Sequence, residues 1–98
     1  MAILTFRDKV SEDLCHGHFS RQAYKRLPSE LHEKVRIKLA RVAAATSLAD
    51  LQELRGNRLE QLKGSRSGQF SIRINNQYRI CFEWHDNNAY NVEVTDYH

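Results

Sequence analysis

Cysteine is scarce in this chain of 98 residues: Cys15 and Cys81 are the two it has, far apart and without paired spacing. That excludes a disulfide scaffold and fits free thiols in a reducing cytoplasm, with Cys81 packed inside a strand. Proline occurs once and glycine four times, and there is no low-complexity linker and no internal repeat. Residues 1–98 therefore read as a single domain, near the size at which one core still suffices. No apolar N-terminal signal region and no run of membrane length occurs, so no membrane partner is expected. Neither sign of charge dominates: 15 Lys and Arg stand against 12 Asp and Glu, a formal net charge of +3. Such mild basicity suits a polyanion such as nucleic acid, or an acidic protein, and suits many inert domains equally. Most of the positive excess lies in residues 1–58, so any catalytic assignment rests on placement.

What the chain does have is a change of period near its middle. Ala2–Phe6 is short and apolar enough for a first strand, and Arg7–Leu14 for a short helix ended near Gly17. Cys15-His16-Gly17-His18 looks like half of a metal cluster, but His32, His85 and His98 supply no matching second pair. Neither a metal nor another cofactor is expected. Leu31, Val35, Leu39 and Val42 recur at intervals of three and four, which predicts a helix from Pro28 to about Ala45 with one apolar stripe. Lys34, Lys38 and Arg41 share another side of that helix, as a solvated face or as a surface for RNA backbone or an acidic partner. Ser47-Leu48-Ala49-Asp50 reads as a cap and first turn of a further short helix.

From Leu59 onward the period is two. Leu59–Lys63 reads as one strand, and the segments containing Phe70-Ile72-Ile74, Tyr78-Ile80-Phe82-Trp84 and Tyr90-Val92-Val94 as three more, separated by polar turns. The expected fold is α+β, with N-terminal helices on one face of a twisted, mainly antiparallel sheet. Parity turns Leu62, Phe70, Ile72, Ile74, Ile80, Phe82, Val92 and Val94 inward. It turns Lys63, Arg73, Arg79 and Tyr97 outward, together with Glu83 and Glu93, onto the face without helices. Cations beside an aromatic suit phosphate and a stacked base; a half-solvated sheet laced with ion pairs is the competing reading. Cleavage of RNA by attack of a ribose 2′-hydroxyl needs two proton-transfer groups and positive charge at the phosphorane. His98 and Asp96 suit the proton roles, and Arg79 and Lys63 the charge. A frayed tail is the alternative for His98.

Several stretches together carry a resemblance: Gly56-Asn57-Arg58-Leu59-Glu60, Leu62-Lys63-Gly64, Gly68 to Asn75, Gln77 to Phe82, and Val92-Glu93-Val94-Thr95-Asp96-Tyr97-His98. They are similar to HigB-type toxins of the RelE/ParE toxin–antitoxin superfamily over most of residues 54–98, and less so over the first half. The resemblance implies a RelE-like microbial RNase fold and ribosome-dependent cleavage of mRNA in the A site of the 70S ribosome. It also implies neutralisation by a HigA-type helix-turn-helix antitoxin, with operator DNA bound only through the toxin–antitoxin complex. By position it makes Lys63, Arg79, Asp96, Tyr97 and His98 the catalytic set, Tyr97 positioning the base. Arg73 matches a position basic in one branch and, with Arg66, Lys38 and Arg41, is expected to bind RNA. In some HigB toxins a histidine stands three residues before the lysine; Glu60 stands there in this chain. Glu60 is a substitute base by position, yet its parity with Leu62 counts against its facing the substrate. Ser65 stands where an aspartate is frequent, a turn variation. Two other functions stay open: a ParE-like inhibitor of DNA gyrase, and a non-catalytic module binding nucleic acid or protein.

Overall fold

Asp8 and Ser20 start the first two helices, and each does so by the same device. The computed structural model describes residues 3–53 and 56–96 of the chain. The Asp8 carboxylate accepts from the Ser11 amide at 2.8 Å and caps α1 (Lys9–Cys15), while Ser20 Oγ accepts from the Ala23 amide at 3.2 Å and caps α2 (Arg21–Arg26). Each satisfies an amide that the first helical turn leaves without a partner. α1 ends at Gly17, whose φ of +75° suits a residue without Cβ. The long helix α3 spans His32–Ala44 and buries His32, Val35, Leu39 and Val42 on one stripe. Its start differs from the expectation: Pro28 is extended, a 3-10 turn follows over Ser29–Leu31, and the α-helix begins only at His32. Ser47 and Asp50 form a reciprocal capping box at the start of α4 (Leu48–Gln52).

Four strands follow in meander order, all antiparallel: β1 (Glu60–Gln61), β2 (Gln69–Arg73), β3 (Tyr78–His85) and β4 (Asn88–Asp96). The tight β3–β4 turn holds Asp86 and Asn87 at φ of +51° and +63°, the paired left-handed geometry that matches the twist of a hairpin. The expected first strand is instead a segment lying parallel to β4, bridged at Ile3–Ala89 and Phe6–Val92. Leu4 N donates to Ala89 O at 2.9 Å and Arg7 N to Val92 O at 3.0 Å. The strand expected over Leu59–Lys63 contracts to two residues, because the chain turns away after Leu62 N bonds Gln69 O.

Helices α1 to α3 pack on one sheet face. The core there joins Leu14, Ala23, Val35, Leu39 and Val42 to Ile72, Ile74, Ile80, Phe82, Val92 and Val94. Among the described residues Phe82 is the largest fully buried side chain, and its loss to alanine would cost about 3–5 kcal/mol. His32 ties the α2–α3 junction: its Nε2 lies 3.1 Å from the carbonyls of both Ala23 and Leu27, so that nitrogen carries the proton and donates. Arg26 crosses from α2 to donate to Asp8 and to the Val94 carbonyl, joining two helices to β4.

One irregularity inverts part of the alternation. Cys81 faces Glu93 across the β3–β4 ladder, but Glu83 faces Tyr90, so β4 carries an extra residue. Asn91 takes up the bulge at φ +52°, its amide bonded to Thr5 Oγ1 at 2.7 Å and its side chain to Glu83 at 2.8 Å. Beyond the bulge the parity is reversed. Ala89 turns into the core, and Tyr90, which simple alternation puts with Val92 and Val94, lies opposite Glu83 on the other face.

Candidate functional site

The face without helices is ordered in three rows by strand register. Glu60, Ser71, Cys81 and Glu93 lie across the middle row, Arg73, Arg79 and Thr95 across the row on one side of it, and Gln69, Glu83 and Tyr90 across the row on the other. This face is less open than alternation predicts. Ser71 and Cys81 are fully buried, and Arg79 is only 9% exposed. Part of the cover is the loop after β1. Its Arg66 donates to Gln69 and, at 3.1 Å, to Glu93, which spans β3 at Cys81. Glu93 also meets Arg7 at 3.7 Å. Leu62, expected in the helix-side core, is buried outside that core, because its hydrogen bond to Gln69 continues the register onto the Ser71 side. Burial pushes the Cys81 thiol up, so it stays protonated near neutrality and packs.

Arg79 is held rather than displayed. Its Nε donates to Ser71 Oγ at 2.7 Å and its Nη2 to the Arg58 carbonyl at 2.7 Å. Arg58 aims that carbonyl from the left-handed region, at φ +45°. Nη1 stands 4.0 Å from Glu60 Oε1. Glu60 therefore faces the same side as Arg79: it is paired with Ser71 and keeps its parity with Leu62, and it is Leu62 that lies on this face instead of in the helix-side core. An acidic oxygen beside a fixed guanidinium is thus present on this face.

A second group of cations gathers at the edge formed by α3 and the start of the sheet. Lys38 Nζ donates to Asn57 Oδ1 at 2.8 Å, and Asn57 Nδ2 donates to the Leu51 carbonyl at 3.0 Å. The Arg73 amide donates to the Asn57 carbonyl, and the Arg73 side chain to Asn76. Burial, then the charges of Lys34, Arg41 and Arg73, hold the Lys38 ammonium below its ordinary value. Three of the expected RNA-binding cations, Lys38, Arg41 and Arg73, therefore share one electrostatic neighbourhood. Arg66 does not join them; it is engaged with Glu93 over the face.

Lys63 is exposed, in extended backbone before the 3-10 turn over Gly64–Arg66. Asp96, at the end of β4, faces Tyr78 in the ladder and accepts from Gln77 Nε2 at 2.8 Å. Its parity is that of Val92 and Val94, opposite to Arg79. Tyr97 and His98 lie outside the described residues. Sequence reasoning overlooked Ser71, Asn57 and the Arg58 carbonyl. A serine at an outward strand position and an asparagine after Gly56 are ordinary surface choices, and the family resemblance, which runs through both stretches, gave these residues no role.

Comparison with known proteins places this architecture. A solved structure of the YoeB-YefM complex from Staphylococcus aureus matches the fold at a TM-score of 0.59 and 23% identity, over 98% of this chain and 94% of that one. A family model that describes a RelE-like toxin of a type II toxin–antitoxin system covers residues 4–98. The branch it describes is HigB, and the chain belongs to that HigB-like toxin family. Toxin HigB-1 of Vibrio cholerae serotype O1 is 36% identical over 89 residues, 91% of this chain and 90% of that protein. Endoribonuclease HigB of Proteus vulgaris is 29% identical over 72 residues, 74% and 77% of the two chains.

Proposed function

We propose that this toxin is an endoribonuclease that cuts mRNA in the ribosomal A site and is neutralised by a HigA-type helix-turn-helix antitoxin. The observation that carries the reading is Arg79, fixed on the face without helices with Glu60 Oε1 4.0 Å from its Nη1. The name of the Proteus vulgaris relative supports the same chemistry. In that reaction the ribose 2′-oxygen attacks the adjacent phosphorus, the bond to the 5′-oxygen breaks, and the products are a 2′,3′-cyclic phosphate and a 5′-hydroxyl. Arg79 and Lys63 offset the charge of the phosphorane. Glu60, on the face that carries Arg79, joins His98 as a group that takes or gives a proton. Asp96, whose parity is opposite to that of Arg79, orients the His98 imidazole from the end of β4, and Tyr97 holds the base. Lys38, Arg41 and Arg73 engage flanking phosphates, and Arg66 sets the loop that carries Lys63.

The test is to express the chain without an antitoxin and map the 5′ ends of cellular mRNA. New ends clustered within translated codons are expected, and they should vanish with Arg79→Ala. Growth arrest with transcripts intact rejects the nuclease reading.

A further inference from the structure

Ser71 is a polar side chain buried on the sheet face that carries no helix. Its hydroxyl accepts from Arg79 Nε at 2.7 Å, and its carbonyl lies 3.5 Å from Arg79 Nη2. The same Nη2 donates to the Arg58 carbonyl at 2.7 Å. Nε and Nη2 form one of the two forked edges of a guanidinium, so that whole edge is turned into the protein. Nη1, on the far side of the group, is turned toward Glu60. The Arg58 carbonyl is itself held in place. Its residue sits at φ +45°, and Asn57 just before it is bound on three sides, to Lys38, Leu51 and Arg73.

We propose that Ser71 and the Arg58 carbonyl form a positioning clamp that fixes the plane of the Arg79 guanidinium before RNA arrives. The inference rests on the nuclease reading and deepens it. A free arginine side chain samples many rotamers, and a donor already aimed at the developing charge has no reorganisation left to do in the transition state. Ser71 touches no reacting atom. Its role is to set the angle at which Arg79 meets the phosphorane, so its effect belongs in kcat rather than in RNA binding.

The experiment compares the purified chain with Ser71→Ala on mRNA-programmed ribosomes, together with ¹⁵N spectra of the arginine Nε–H groups. The clamp predicts a kcat lower by roughly ten- to a hundredfold, the worth of one hydrogen bond to a charged group, with KM close to that of the parent. The thermal midpoint falls too, because the buried Nε–H loses its acceptor, so kcat is read well below the midpoint of both proteins. It also predicts that Ser71→Ala adds nothing in an Arg79→Lys background, since lysine has no Nε–H to be held. Ser71→Thr, which keeps the hydroxyl, is expected to retain most of kcat. The Arg79 Nε–H should exchange slowly in the parent and fast in Ser71→Ala. Unchanged kcat in Ser71→Ala, or an equal loss in the lysine background, overturns the clamp. A parent chain that cuts no RNA yet protects the Arg79 Nε–H rejects the nuclease reading and leaves the held guanidinium standing. Fast exchange in the parent rejects the clamp whatever the activity.

Discussion

Replacing Asn57 with alanine tests whether one buried amide holds the two halves of the molecule in register. Asn57 is 2% exposed, and its side chain makes two bonds, to the Leu51 carbonyl at the end of α4 and from Lys38 on α3. Asn57→Ala removes both and leaves the backbone bond from Arg73 in place. A buried carbonyl stripped of its donor costs about 1–3 kcal/mol. The bond from Lys38 is only partly buried, and its loss adds about 1 kcal/mol, because the ammonium is left among Lys34, Arg41 and Arg73 without its acceptor. The total is about 2–4 kcal/mol. At roughly 4–8 °C per kcal/mol for a domain of this size, the midpoint of thermal unfolding should fall by about 8–32 °C. Asn57→Asp keeps the acceptor for Lys38 and loses the donor to Leu51, so it should recover part of the loss and raise the Lys38 pKa. Urea denaturation with an unchanged slope is the assay. A loss under about 0.5 kcal/mol in Asn57→Ala, set against the sum above, refutes the reasoning.

Three further outcomes follow from single residues. Asp8→Ala should cost about 1–2 kcal/mol at neutral pH through the lost cap and the screened pair with Arg26, read by urea denaturation. Burial alone would raise the Asp8 carboxyl, but the Ser11 bonds and Arg26 outweigh it and hold the pKa below the ordinary value. The folded value lies under the unfolded one, so this stabilisation is present above about pH 4 and lost as pH falls through the folded value. Asp8→Asn should therefore differ from the parent at pH 7 and converge on it in acid, and a gap that persists at the acid end counts against the pairing. Asn91→Val, a β-branched residue at φ +52°, should cost about 1–3 kcal/mol by the same denaturation measurement, while Asn91→Gly stays near the parent. Of the two thiols, half-buried Cys15 should react with iodoacetamide in the native protein and fully buried Cys81 only at the rate of unfolding; equal native rates would contradict the packing.

The elements legible in the sequence are those whose burial is periodic. β2, β3 and β4 announce themselves because one face is apolar throughout, and α3 because its stripe repeats at three and four. The Ser47–Asp50 box is legible because capping is local chemistry. α2 is not, since Ala23 is its one buried residue and leaves no pattern to read. Parity fails where the ladder loses its regular step: at Asn91 an extra residue turns Tyr90 over. In β1 apolar Leu62 is buried on the face without helices, so the shared parity of Glu60 and Leu62 holds while the face assigned to both is wrong. The burial of Arg79 is illegible for a different reason. It depends on a carbonyl whose direction is set by the backbone of Arg58, and on a serine whose value lies only in what stands opposite it.

The cations of this toxin therefore divide by how they are held, and the nuclease reading gives the division a consequence. Arg41 and Lys63 are exposed, on a helix surface and a loop, where salt at physiological strength screens charge over about 8 Å. Arg79 is enclosed, with its Nε–Nη2 edge bound to a hydroxyl and a carbonyl, where screening is weak. Exposed cations attract a polyanion from a distance and set how tightly it is held. An enclosed and oriented one contributes where the phosphorane forms. Raising salt should then raise KM for programmed ribosomes with little change in kcat, and Arg41→Gln should flatten that salt dependence while leaving kcat alone. If kcat itself falls with salt as steeply as affinity, Arg79 is not shielded in the way its partners suggest, and the separation between attraction and chemistry on this face does not hold.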